Sequence, residues 1–187
     1  WPQLTAAELE ELIKAACWLA GTTDAAPFKA AVGQLYEHVI GTLPPETRRQ
    51  IASDLGGTLE EHARTHGTCP VRVLHHWLLT DPHPDVVSTA ALACAQVMKA
   101  TEEDPLRGPR TVLDIAAASA DQNRQAAIVS GLAATGDGRV LSLIAGAWER
   151  LGKEARSGIL QNMGGQAPTV AGIEFLLSRL EEAAQSG

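Results

Sequence analysis

Aromatic residues make up only 4% of this chain, lysine is scarce, cysteine occurs three times, and long apolar runs are missing. Each shortage excludes something. Sheets draw on Val, Ile, Thr and aromatics, so a chain poor in aromatics and rich in Ala and Leu points to closely packed helices. Strict alternation of apolar and polar residues, the mark of a half-buried strand, is also missing. Cys17, Cys69 and Cys94 are odd in number and far apart, which suggests no disulfide framework and a reducing compartment, the cytoplasm. No stretch approaches the ~20 apolar residues of a membrane span, and no basic segment followed by an apolar one opens the chain as a signal peptide would. No membrane association is expected. The first residue is Trp1, not Met, as in a piece of a longer protein. Positive charge is short as well: 15 Lys and Arg face 22 Asp and Glu, for a net charge of -7. Phosphate contacts carry much of nucleic-acid affinity, so no nucleic-acid partner is expected.

What the chain does have is helical period. With 187 residues, 45% of them apolar, it can bury a real core as one domain or two small ones. Leu9, Leu12, Ile13, Ala16, Cys17 and Ala20 form one apolar stripe, preceded by the Thr5 and Glu8 of a capping box and followed by Gly21. A second helix is expected from Pro27 to Ile40. A third opens at Pro44 and Pro45 and carries Ile51, Leu55 and Leu59, with Gly56-Gly57 as a candidate break or kink. Further helices are expected near 71–80, 85–99, 110–119, 122–135, 138–151, 153–164 and 169–184, separated by short breaks such as DPHP, EEDPLRGP and GDG. Asp81, Asp85, Asp121 and Asp137 stand at turns that open helices, where carboxylates cap N–H groups.

The segments also resemble one another. DVVSTAAL (85–92) lies over DQNRQAAI (121–128), with Asp85 on Asp121 and Ala90 on Ala126. AAIVSGL (126–132) lies over SGILQNM (157–163), with Ile128 on Ile159. A two-helix unit recurring every ~30–40 residues is the mark of an α-solenoid, in which stacked pairs share a core that neither pair could bury alone. Ala90, Ala93, Ala126 and Ala127 are the small residues expected where helices cross. DPHPDVVSTAALACAQV (81–97) resembles the turn and second helix of a HEAT repeat, whose pattern is Asp-Pro-x-Pro-x-Val-Arg followed by small residues at helical spacing. GLAATGD (131–137) resembles the end of another. In the first unit Val87 stands where the family has Arg; in the second, Arg124 is present but displaced. The resemblance covers about 70–184, roughly three repeats. It implies an all-α, HEAT-like superhelix of antiparallel helix pairs over 70–187, with residues 1–66 as an N-terminal helical cap. HEAT-like proteins usually bind other proteins; a minority bind nucleic acid or act as enzymes. The HEAT-like DNA glycosylases need a basic concave surface, which the acidic balance of this chain argues against.

The expected function is therefore a non-catalytic interaction module that holds a peptide or helix of a partner protein on one solenoid face, with no cofactor. Under the two alignments Thr89, Gln125 and Arg156 occupy equivalent places, and they are the candidate lining of a polar groove. Two alternatives belong to other classes. Glu60 to His76, EEHARTHGTCPVRVLHH, holds four of the six histidines, and His62, His66 and Cys69 have spacing that a zinc ion accepts. Against a zinc-binding domain or metal-dependent enzyme stands the helix expected after Pro70. Its apolar side is Val71, Leu74, Trp77 and Leu78, and His75 and His76 diverge by ~100° on it, so they cannot serve one ion. Cys17 and Cys94 fall on apolar faces as core thiols, as do Trp77 and Trp148, while Trp18 borders the first stripe. The last helix, with Ile173, Phe175, Leu176, Leu177 and Leu180, is broadly apolar for a terminal element. That favours an oligomerisation domain of a longer protein, with a homo-oligomer formed through this helix, as the second alternative.

Overall fold

The computed structural model describes residues 5, 7–8, 11–12, 15, 40–66, 80–101, 104–165 and 170–185. These residues are helical or lie in short turns, and there is no strand among them. The expected capping box is in place at the start: the Thr5 N–H donates to a Glu8 carboxylate oxygen at 2.8 Å, and the Glu8 N–H donates to Thr5 Oγ1 at 3.3 Å. The Thr5 backbone N–H and the Thr5 hydroxyl, which donates to the same oxygen at 2.8 Å, hold the exposed Glu8 carboxyl below its ordinary range. The expected helices at Pro27–Ile40 and 71–80, and the core placement of Cys17, Trp77 and the Leu9 stripe, fall largely outside the described residues.

Seven α-helices follow: α1 (Pro45–His66), α2 (Pro84–Thr101), α3 (Arg107–Ala118), α4 (Gln122–Ala133), α5 (Gly138–Gly146), α6 (Lys153–Gly165) and α7 (Val170–Gln185), with single 3-10 turns at Ile40–Thr42 and Trp148–Arg150. Capping chemistry sets several of the starts. The Asp121 carboxylate accepts from the N–H groups of Asn123 and Arg124, and that of Asp137 accepts from Arg139. α3 has no side-chain cap: Asp104 accepts from the Leu106 N–H in the turn before it, and the helix begins at Arg107, inside the stretch expected to break the chain. Pro109 is harmless there, since the first turn leaves its N–H positions unpaired in any case. Gly136, with φ of +64°, supplies the left-handed turn between α4 and α5. The helix expected over 138–151 ends earlier, at Gly146, and tightens into the 3-10 turn that carries Trp148.

The helices form two layers. In one, α1 packs on α2, α2 on α4, and α4 on α6. In the other lie α3, α5 and α7: α3 wedges against α2 and α4, α5 against α4, and α7 against α5. The ends of the first row, α1 and α6, share no extensive packing. α1, part of the expected N-terminal cap, thus meets α2 as α2 meets α4. The core runs between the layers. Its largest fully buried side chains, Leu55, Ile128, Leu132, Ile144, Leu151 and Ile159, come from α1, α4, α5, α6 and the turn before α6. Each contributes about 1.5–3 kcal/mol by leaving water. Cys94 is a buried thiol of this core, and Trp148 packs partly buried against the same core.

Small residues set the spacing of the row. The Gly56-Gly57 pair does not break α1, which is continuous across it. Gly56 is buried, and a Cβ there would stand 2.6 Å from Ala93 Cβ, so the glycine is the point where α1 and α2 touch. Between α2 and α4 the same part is taken by Gly131, where a Cβ would collide with the Ser88 carbonyl oxygen and the Ala91 methyl. Between α4 and α6 it is Gly158, facing Ser130 and Ala126 at ordinary contact distance. These positions predict opposite outcomes for one substitution. Gly131→Ala should destabilise the chain by about 1–3 kcal/mol through overpacking. Gly57→Ala, where nothing lies within 4 Å, should stabilise it by about 0.5–1 kcal/mol through helix propensity alone. Urea denaturation of the two variants checks the pair.

Candidate interaction surface

The four helices of the row can be read residue by residue from their first positions, Pro45, Pro84, Gln122 and Lys153. Their seventh residues are Ile51, Ala90, Ile128 and Ile159, and all four are buried. This register agrees with the placing of Ile128 on Ile159 and corrects the other alignment by two residues: Ala90 falls on Ile128, not on Ala126. The error came from matching Asp85 to Asp121. Asp121 caps α4 from outside, whereas Asp85 lies inside the first turn of α2. In the corrected register Val87, Ala90, Ala91, Ala93, Cys94 and Ala95 meet Gln125, Ile128, Val129, Gly131, Leu132 and Ala133, every one buried.

The fourth residues are Arg48, Val87, Gln125 and Arg156. Gln125 and Arg156 are therefore equivalent, as expected, and Thr89 is not their counterpart. Nor does Gln125 line an open groove: it is 5% exposed. Its amide nitrogen donates to the Ala116 carbonyl at 3.1 Å, and its amide oxygen accepts from the Gly152 N–H, so it ties α4 to the end of α3 and to the turn that opens α6. Arg156 is only partly open. Its Nε donates to the Leu151 carbonyl at 2.9 Å, and its guanidinium lies 5.9 Å from the centre of the Trp148 ring. Thr89 is partly exposed, with its hydroxyl donating to the Asp85 carbonyl one turn back.

Sequence reasoning missed Arg48. It holds in α1 the fourth position that Val87 holds in α2. Its Nε and Nη2 donate to the two oxygens of Asp81 at 2.9 and 3.1 Å, and its Nη1 donates to the Leu43 carbonyl. The bond from Arg48 to the residue five before it is the one Arg156 makes to Leu151. Asp81 is buried, in the turn that opens α2. One of its oxygens accepts from the His83 N–H, and its backbone carbonyl accepts from Arg124 of α4 at 2.8 Å. The turn before α2 thus fastens to α1 on one side and α4 on the other. PPETRRQIA (44–52) set over HPDVVSTAA (83–91) was the signal that could have found Arg48.

The row's outward face is made by the second, fifth and ninth residues. The second are Glu46, Asp85, Asn123 and Glu154, all exposed; the ninth are Ser53, Leu92, Ser130 and Gln161. In the fifth, Arg49, Ser88, Ala126 and Ser157 run across the middle. Arg49 pairs with Glu46 at 2.7 Å and also feels Asp85 of the next helix, and both carboxylates raise its pKa. The surface is mixed: charged or polar at the second positions, mostly small at the fifth, and broken by Leu92 at the ninth. A separate groove of about 480 Å³ lies between α5 and α7, with Arg139, Ser142, Glu174 and Phe175 on its walls. Its serines are occupied, Ser142 with the Gly138 carbonyl and Ser178 with that of Phe175, and Arg139 is paired with Asp137 at 2.8 Å.

Cys69 of the candidate zinc site lies outside the described residues, as do His75 and His76. His62 and His66 fall in the last turns of α1, where the side chains lie outside them too. Among the described residues no group of three His, Cys, Asp or Glu side chains is placed to hold a metal ion, and no helix is long and apolar enough to cross a membrane.

Two variants test the anchors. Asp81→Ala leaves Arg48 charged and buried, and should cost about 3–5 kcal/mol of stability. Gln125→Glu keeps the acceptor for Gly152 and loses the donor to Ala116, and should cost about 1–3 kcal/mol. Chemical denaturation measures both, with exposed Ser157→Ala as the silent control.

Compared with known proteins, the chain matches no family model, no curated protein and no solved structure at a significant level.

Proposed function

We propose that this chain is a non-catalytic protein-interaction module of the HEAT-like α-solenoid kind, which receives a peptide or helix of another protein on the open face of its helix row. The observation that carries the reading is the row itself. α1, α2, α4 and α6 pack each on the next, with α3, α5 and α7 behind them, and matching positions recur along it in burial and bonding. Repeats stacked in this way turn one set of positions outward on each helix, and the result is an extended binding surface. Most side chains on this face can hydrogen-bond, which suits recognition by shape and hydrogen bonding. The acidic second positions, Glu46, Asp85 and Glu154, favour a partner with basic residues along that edge. The reading needs no cofactor, and the reducing interior of a cell is its expected setting.

Ser53→Arg combined with Ser157→Arg places two bulky cations on this face at exposed positions. Such surface changes should leave stability within about 0.5 kcal/mol. Proteins captured from native lysate by the immobilised chain should be lost from the double variant while Tm holds. Capture that is unaffected, or absent from the start, would overturn the proposal.

A further inference from the structure

Among the described residues, the strongest unpartnered feature is the outer side of α7. Val170, Ile173, Leu177 and Leu180 are 74, 47, 52 and 66% exposed. Their spacing, three then four then three, is continued by exposed Ala184. That is the a and d pattern of a heptad seam, the arrangement a helix uses to receive a second helix by knobs-into-holes packing. Scattered surface leucines need no explanation, but a contiguous apolar stripe along a whole helix marks an interaction site. The stripe is not the face that holds α7 to the protein. Ala171, Phe175 and Leu176 serve that purpose: Phe175 is buried and meets Trp148 edge-on at 5.7 Å, and Arg179 stacks over both rings.

Charge identifies the occupant. The e positions beside the seam are Glu174 and Glu181, both exposed. If two copies of the chain paired antiparallel about Leu177, Glu174 of each would face Glu181 of the other, a like-charge contact that destabilises the pair. A helix with basic residues along its flanks would turn both glutamates into attractive contacts.

We infer that the outer face of α7 is a docking site for a basic amphipathic helix of another protein, with Val170, Ile173, Leu177 and Leu180 as the seam and Glu174 and Glu181 as the charge clamp. The site lies apart from the open face of the row and does not rest on that proposal.

Two synthetic peptides of about three heptads test it, both with Leu at a and d, one with Lys and the other with Glu at e and g. Titrated against the full-length chain by fluorescence anisotropy, the Lys peptide should bind roughly tenfold or more tighter than the Glu peptide, and less so as salt rises. Glu174→Lys with Glu181→Lys should reverse the preference. Leu177→Ser with Leu180→Ser should abolish binding while the helical circular dichroism is unchanged. The Ser53→Arg, Ser157→Arg variant should bind the Lys peptide as the parent does, which separates this site from the face of the row. Equal affinity for both peptides, or none for either, overturns the inference. So does a dimer in light scattering that Leu177→Ser dissolves, which would make a second copy the occupant.

Discussion

A carboxylate with no solvent-exposed surface is stable only where the protein replaces the water it has lost, and Asp81 is such a carboxylate. Arg48 supplies two hydrogen bonds and the opposite charge, and the His83 N–H supplies a third bond. The requirement is geometric as much as energetic. The first turn of α1 must lie against the turn that opens α2, and Arg124 of α4 then closes on the Asp81 carbonyl. Apolar burial alone would tolerate sliding of one helix along another. A bidentate pair with a side-chain exposure of 6 and 0% does not. Buried pairs of this kind often add little net stability over an apolar substitute; here the pair acts on register.

With register fixed, the packing of the row follows from side-chain size. Gly56 against Ala93 and Gly131 against Ser88 and Ala91 bring backbones close, and neither contact would fit if the helices were displaced by one residue. Polar anchors and small residues therefore depend on each other. Gln125 shows the same logic further along: it holds the fourth position that Arg48 holds in α1, and a neutral amide there reaches the turn before α6 as the guanidinium reaches the turn before α2. Position and task persist while the chemistry of the side chain changes.

This also explains what could be read from the sequence. Helix existence was legible throughout α2 to α7, because the apolar period of 3.6 is a property of single segments. Repeat equivalence was legible only in part. A match built on Asp85 and Asp121 was attractive because both are aspartates beside a turn, yet one caps a helix and the other sits inside it, and composition cannot separate these roles. The supposed break at Gly56-Gly57 failed for a related reason. Glycine weakens an isolated helix, but in a packed one it permits an approach whose gain exceeds that cost, and the neighbour that decides between them, Ala93, is 37 residues away. The set Thr89, Gln125 and Arg156 rests on two alignments, of which the one that pairs Gln125 with Arg156 keeps the register of the helices and the one that adds Thr89 does not. Polarity does not distinguish a side chain turned to a partner from one that satisfies buried backbone, and Gln125 is the second kind.

The row's open face and the outer side of α7 differ in what they can do when empty. The exposed polar side chains of the face can bond to water when it is empty, so it gains chiefly from a partner that replaces those bonds in kind, and its contacts are expected to be selective and modest. The α7 seam holds apolar area in water at a standing free-energy cost, which any matching apolar helix relieves without regard to sequence. Attraction there is easy, and discrimination must come from elsewhere. Under the docking proposal, Glu174 and Glu181 would provide it at the margins of the seam, exposed in the empty state and repelling an acidic helix. Glutamate, not more leucine, is therefore what lets an exposed seam exist on a chain that remains selective about what covers it.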